Sequence, residues 1–434
     1  MGQLAGLAMV RCRVGRKGGR QITGRLAVMS AVAVIGLAGC AGPGISRSAQ
    51  PSEAPTVVQS AVATPSPTPP PTPMPTPTPT PRVFTFTATG SMREARMDAT
   101  ATLLQNGKVL IAGGAISEGS QTVATDSAEL YDPATGKFAR TGSLATERVS
   151  ATATLLTDGR VLIAGGSAVD CGTACGDNGE GLVTAEIYNP ATGKFSRTGS
   201  MSQRRVSAAA VRLNDGRVLV FGGSSSAEIY DPKTGKFTRM ATLPAHFGGS
   251  IFNHAFLLSD GKVMMFGTDD DGPAVMSFDP ATGKFTHNSL VFAPGVAASE
   301  DNDGPQTATL LKDGRILLTE SGYLEMYDPA TGAVTDSGTV SVPGDTAGQF
   351  GVPTATLLAD GRVLIAGGYD SSASPSTPIN LAFLYDLASG LGQSAPMLSA
   401  RYGQTATLLP NGSVLIVGGS KDSQNAIKSA ELFK

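Results

Sequence analysis

The chain has 434 residues, 33 of them basic and 35 acidic, with 41% hydrophobic residues and no tryptophan. Six of the basic residues and none of the acidic ones precede Cys40, so the remainder holds 27 against 35, a formal charge of −8. An acidic chain lacks the basic footprint of a nucleic-acid-binding protein, which argues against that partner class. Length alone suggests two or three domains, but an internal repeat overrides that estimate, because one closed array can use 300 residues or more.

Residues 1–39 read as an export signal. Arg11, Arg13, Arg16, Lys17, Arg20 and Arg25 form a basic head without an acid, followed by the apolar run Leu26 to Leu37. That run is too short to span a bilayer as a helix. It ends Leu37-Ala38-Gly39-Cys40, which resembles the lipobox of bacterial lipoproteins. The resemblance implies that Cys40 is lipidated and anchors an extracytoplasmic chain to a membrane of the cell envelope.

Residues 40–82 read as a linker dominated from Thr64 onward by alternating threonine and proline. Alternating proline forms neither helix nor ladder, so the segment is expected as an extended polyproline II stalk of roughly 60 Å.

From residue 83 to 434 one unit repeats. Asn106-Gly107, Asp158-Gly159, Asp215-Gly216, Asp260-Gly261, Asp313-Gly314, Asp360-Gly361 and Asn411-Gly412 each lie between apolar runs, at intervals of 45 to 57 residues. Such dipeptides predict a two-residue type I′ hairpin, with both central residues at positive φ. A variable loop and a third strand follow, then a second turn: DPATGK in the first copy and NPATGK, DPKTGK, DPATGK and DPATGA in the next four. Proline presets φ and the later glycine takes the left-handed conformation, so a fourth strand is expected after it. Four antiparallel strands about every 50 residues, without helical periodicity, are the pattern of a propeller blade. The predicted fold is all-β, a seven-bladed propeller. The last copy stops after its third strand at Ala430 to Lys434, while Val83 to Met92 matches the fourth-strand segment Lys194 to Met201. The N-terminal segment is therefore expected to supply the missing outer strand of blade seven and close the ring.

Paired glycines end the second strand at Gly113-Gly114, Gly165-Gly166, Gly222-Gly223, Gly367-Gly368 and Gly418-Gly419. Aromatic residues seven apart recur as Tyr131 and Phe138, Tyr188 and Phe195, Tyr230 and Phe237, and Phe278 and Phe285. With these features the repeat resembles the kelch repeat, with phenylalanine where kelch usually has tryptophan. It is also similar to the propeller of galactose-oxidase-like proteins. The second resemblance raises copper-radical oxidation, but that chemistry requires a Cys–Tyr crosslink and paired histidine ligands. With three histidines and no cysteine in a strand, such a site does not map onto this chain.

The loops after strands two and four share one face and vary, whereas the hairpin turns of the other face hardly change. Variation on a rigid scaffold marks the loop face as the functional one. Arg96, Arg148, Arg205 and Arg401 precede strand one in the copies whose third strand carries Glu129, Glu186, Glu228 and Glu431. This co-occurrence is read as an intrablade ion pair rather than a ring of anion-binding arginines.

Copies four and five break the pattern. Copy four reads Gly267-Thr268 in place of the double glycine and continues Asp269-Asp270-Asp271; copy five has Glu320-Ser321 there; the connection between them holds Glu300, Asp301 and Asp303. His246 and His254 fall in or just after the preceding connection. These nine residues, Asp269 to Asp271, Glu300, Asp301, Asp303, Glu320, His246 and His254, are the candidate ligand-binding set. Clustered carboxylates suit solvated loops, a calcium or polyol site, or general acid/base chemistry, and all three readings stay open here. No EF-hand is present, because twelve-residue loops beginning at Asp269 and Asp301 end at Pro280 and Lys312 instead of glutamate. Cys171 and Cys175 in the longest loop are expected to form a small disulfide in an exported chain.

The sequence thus predicts a monomeric propeller without a dedicated cofactor, binding a glycan or a protein noncatalytically. The alternative is a carbohydrate-active lyase, epimerase or glycosidase using the carboxylates of copies four and five.

Overall fold

A computed structural model describes residues 84–118, 121–169, 181–224, 226–243, 252–269, 272–292, 305–340, 350–370, 376–422 and 425–434. Among them are seven four-stranded antiparallel sheets and no helix. Blade one comprises Thr100–Leu103, Val109–Ala112, Ala128–Asp132 and Lys137–Arg140; blade two Thr152–Leu155, Val161–Ala164, Ala185–Asn189 and Lys194–Arg197. Blade three is built from Ala209–Arg212, Val218–Phe221, Ser226–Asp231 and Lys236–Thr242, and blade four from Phe252–Leu257, Val263–Asp269, Gly272–Asp279 and Lys284–Ser289. Blade five uses Thr307–Leu310, Ile316–Glu320, Tyr323–Tyr327 and Val334–Thr339, and blade six Thr354–Leu357, Val363–Ala366, Ala382–Asp386 and Gly390–Gln393.

Blade seven joins the two ends of the domain. Thr405–Leu408, Val414–Val417 and Ala430–Phe433 take Phe86–Ala88 as the outer strand, in the register Phe86 to Phe433, Thr87 to Leu432 and Ala88 to Glu431. Neighbouring first strands meet all the way round, the last against the first. The expected closure is therefore present. Phe84 stacks on Phe433 with ring centroids 5.3 Å apart, and the Arg362 guanidinium of blade six lies over the Phe84 ring, 4.2 Å from its centre. The closing strand runs from the hairpin end toward the loop end.

The second strands explain the packing. Val109–Ala112, Val161–Ala164, Val218–Phe221, Val363–Ala366 and Val414–Val417 are buried at every position, because both faces of each sheet meet a neighbouring blade. Such continuous apolar runs belong to strands covered on two sides. The core is accordingly divided among the blade interfaces: Leu110 and Ala112 pack with Val161 and Ile163 between blades one and two, and Phe221 with Met265 and Met276 between three and four.

The hairpins form where expected, but with a different turn. Gly107 N donates to Leu104 O and Leu104 N to Lys108 O, and of the pair Asn106-Gly107 only the glycine has positive φ, 79°. The same pattern recurs at Gly159, Gly216, Gly261, Gly314, Gly361 and Gly412. This is a three-residue loop ending in a glycine bulge rather than a type I′ turn. The Asn or Asp side chain stabilises it by accepting the amide two residues on, as Asp158 does from Arg160 at 3.0 Å.

Candidate functional site

The loop face divides into two arcs. In blades seven, one, two and three, the arginine ahead of strand one and the glutamate of strand three are both buried, at no more than 2% side-chain exposure. They meet at 3.3 Å in Arg96–Glu129 and Arg205–Glu228, 2.8 Å in Arg148–Glu186 and 2.6 Å in Arg401–Glu431. The expected intrablade pair is confirmed, and its partners show more than an ion pair. Arg148 Nη1 also donates to the carbonyls of Gly165 and Thr184, while Glu186 accepts the backbone amides of Ala145 and Thr146 at 2.7 and 3.2 Å. Glu129, Glu228 and Glu431 accept two successive amides in the same way, from Arg93 and Glu94, Ser202 and Gln203, and Leu398 and Ser399. Each carboxylate therefore clips the connection that leads into its own blade. Burial lowers the pKa of all four arginines, and the facing glutamates oppose that shift.

The paired glycines serve the same assembly. Gly114 N donates to Arg148 O at 2.9 Å, and a Cβ at Gly113 would meet that carbonyl at 2.4 Å. Gly166, Gly368 and Gly419 donate likewise to Arg205, Arg401 and Arg96 of the next blade. The double glycine thus admits the backbone of the following arginine. Blades four and five, which have lost the glycine pair, precede blades five and six, where Asp303 and Phe350 stand in place of the arginine. Blade three keeps Gly222-Gly223 ahead of blade four, which carries Ser250 at the arginine position, so the two losses do not always coincide.

Two further interlocks belong to the regular arc. Tyr131, Tyr188 and Tyr230 exchange hydrogen bonds of 2.8, 2.8 and 2.9 Å with Thr89, Thr141 and Thr198 of the preceding blade's outer segment. Burial raises the pKa of Tyr131 and Tyr188. Around the channel mouth, Asp98 N donates to Gly403 O, Ser150 N to Asp98 O and Ser207 N to Ser150 O.

Blades four to six are built otherwise. Met276 and Phe383 occupy the register of Glu129, and Glu325 is fully buried at that position in blade five. Strands two and three of blade five are joined tightly through Ser321 and Gly322, at φ 46° and 89°, where blades one, two, six and seven carry a longer connection. Glu320, at the end of strand two, is 2% exposed and accepts the Ser321 hydroxyl at 3.3 Å. Thr307 and Thr319 share a buried hydroxyl–hydroxyl bond of 2.8 Å beneath it.

Of the candidate ligand set, Glu320 and the backbone of Asp269 lie at the loop ends of adjacent blades, as expected. Asp270, Asp271, Glu300, Asp301, Asp303 and His246 lie outside the described residues, as do Cys40, Cys171 and Cys175. His254 is not on the loop face. It sits on the first strand of blade four, lines the central channel, and places Nε2 3.1 Å from Gln306 O of blade five. Burial lowers its pKa to about 4, against the opposing pull of the Gln306 and Pro305 carbonyls. Among the described residues no three His, Cys, Asp or Glu side chains converge as a metal site.

A cavity of about 360 Å³ opens in the channel between the first strands of blades one to five. A second, of about 730 Å³, lies on the hairpin face between blades two and three, lined by Asp158, Arg160, Asp215, Arg217 and Lys233. Both escape a sequence reading, as do the Tyr–Thr bonds, although a threonine at the same offset before each of the three tyrosines' blades was visible.

A family model described as outer membrane protein assembly factor BamB matches residues 179–390, just under half of the chain. No curated protein sequence matches significantly. Among solved structures, a fungal alcohol oxidase of the AA5 family in complex with copper superposes with a TM-score of 0.57 at 14% identity, over 81% of this chain and 75% of that one. A streptogramin B lyase superposes with a TM-score of 0.56 at 13% identity, over 81% and 97%. At these identities the likeness shows a shared seven-bladed propeller fold.

Proposed function

We propose that the protein is a lipid-anchored, extracytoplasmic kelch-like propeller that binds a glycan or a protein noncatalytically through the loop face of blades four and five. The observation that carries this reading is the division of the face: one arc is held by buried Arg–Glu clips, whereas blades four and six carry Met276 and Phe383 in the glutamate's place and blade five ends its second strand in the buried Glu320. The partial likeness to an outer membrane assembly factor fits a binding role in the envelope.

Glycan-array binding with the ligand unchanged after incubation is the expected result. Turnover of a bound glycan that disappears in Glu320→Ala would instead establish the carbohydrate-active enzyme, a reading favoured by one feature, the burial of the Glu320 carboxyl at a loop end.

A further inference from the structure

The channel wall has a single irregular sector. In the register of Thr100 the first strands carry Thr152, Ala209, Thr307, Thr354 and Thr405, and blade four carries His254. Two residues on, where other blades carry threonine or valine, blade four carries Phe256. The repeat itself shows that an inner strand folds with threonine at both positions; in blade four the Phe256 ring packs edge-on against Phe266, with centroids 6.5 Å apart, and is only partly buried there. His254 and Phe256 both line the cavity of about 360 Å³, facing Ala101, Thr152, Ala210 and Ala308.

The chemistry of this space is narrow. Each first strand pairs with one neighbour only, so its other edge turns backbone donors and acceptors into the channel. No Asp, Glu, Lys or Arg lines the cavity. A charged guest would be buried there without compensation, whereas hydroxyl groups would satisfy the strand edges. The imidazole is held in place by the Gln306 carbonyl and stays neutral at ordinary pH. Phe256 offers an apolar face to the C–H side of a ring. The volume lies at the small end of ligand pockets.

We infer that the channel is a binding site for a neutral polyol or a monosaccharide-sized sugar, with His254 as its polar anchor and Phe256 as its stacking face. This site is separate from the carboxylates of the loop face, and Glu320→Gln leaves it intact.

Calorimetric titration of the full chain with glucose, galactose, mannitol and myo-inositol, beside glucuronate and glucosamine, tests the assignment. At least one neutral compound is expected to bind saturably with a Kd below about 1 mM, and each charged counterpart at least about tenfold more weakly. His254→Thr, which restores the residue the other blades use, is expected to weaken binding about tenfold with an unchanged melting temperature. Phe256→Thr is the second variant, with the same expected loss, and Lys233→Ala on the hairpin face is the control that binds normally. The assignment is overturned if no neutral compound saturates by about 20 mM, if charged compounds bind equally, or if His254→Thr stays within about twofold of the parent.

Discussion

Blades seven, one, two and three differ from blades four, five and six in where the first turn of each blade is fastened. In the first group a buried glutamate takes two amides from the incoming connection and an arginine from its own blade. In blades four and six Met276 and Phe383 stand in that position, blade five keeps a buried Glu325 there without the arginine, and the connections lengthen, as between Ser289 and Thr307. Removing a buried ion pair in favour of apolar packing is often neutral in stability. What changes in blades four and six is that no carboxylate stands there to clip the incoming connection, which releases its sequence for another purpose. The comparison suggests two uses for one residue type on one face: Glu186 is part of the frame, and Glu320 is the residue proposed to serve a ligand.

The largest effect is expected from cutting the frame where it closes. A chain lacking residues 84–88 loses the outer strand of blade seven, with Phe86 buried in it, and should be destabilised by on the order of 5 kcal/mol in calorimetry. Equal melting of the two chains would remove the closure from the frame. Next comes Arg148→Ala, which leaves Glu186 buried and should cost about 3–5 kcal/mol in denaturant unfolding. Exchanging the pair, Arg148→Glu with Glu186→Arg, should recover little, because the arginine also serves two carbonyls and the glutamate two amides. Full recovery would reduce the clip to a simple ion pair.

A smaller effect separates the arcs by pH. Folded His254 titrates near 4 against an ordinary value of 6.5, so the unfolded chain takes up the proton first. The contribution of the neutral imidazole is complete above pH 6.5 and is lost as pH falls through 4. The parent should therefore lose about 1–2 kcal/mol more than His254→Thr over that window. Identical acid limbs would contradict the buried neutral imidazole. The smallest contrast is between tyrosines. Tyr188→Phe forfeits the bond to Thr141 and should cost about 1 kcal/mol, while Tyr327→Phe in blade five should cost less than about 0.5 kcal/mol.

Much of this was legible before any coordinates. Turn dipeptides, apolar second strands and the match between Val83–Met92 and Lys194–Met201 are local signals, and they determined the blade number, the strand order and the closure. The Arg–Glu pairs were legible because four copies vary together. The exact turn was not, since Asn106-Gly107 suits a two-residue turn until the cross-strand partners Leu103 and Val109 set the loop length. The role of the double glycine was hidden because its partner carbonyl belongs to the next blade, at Arg148, Arg205, Arg401 or Arg96. His254 was expected in or just after the connection into blade four, and its place on the inner strand Phe252–Leu257 was hard to read because that strand departs from the TATL pattern that marks most of the others.

The division of labour is tested most directly by two isosteric substitutions read in parallel for melting temperature and for binding to a glycan array. Glu186→Gln, unable to serve two amides and a guanidinium, should be destabilised by about 2–3 kcal/mol and still bind below its melting temperature. Glu320→Gln should melt with the parent and lose the array signal. If Glu320→Gln instead melts as low as Glu186→Gln and binds like the parent, the two glutamates are both frame, and the contrast between the arcs is contradicted.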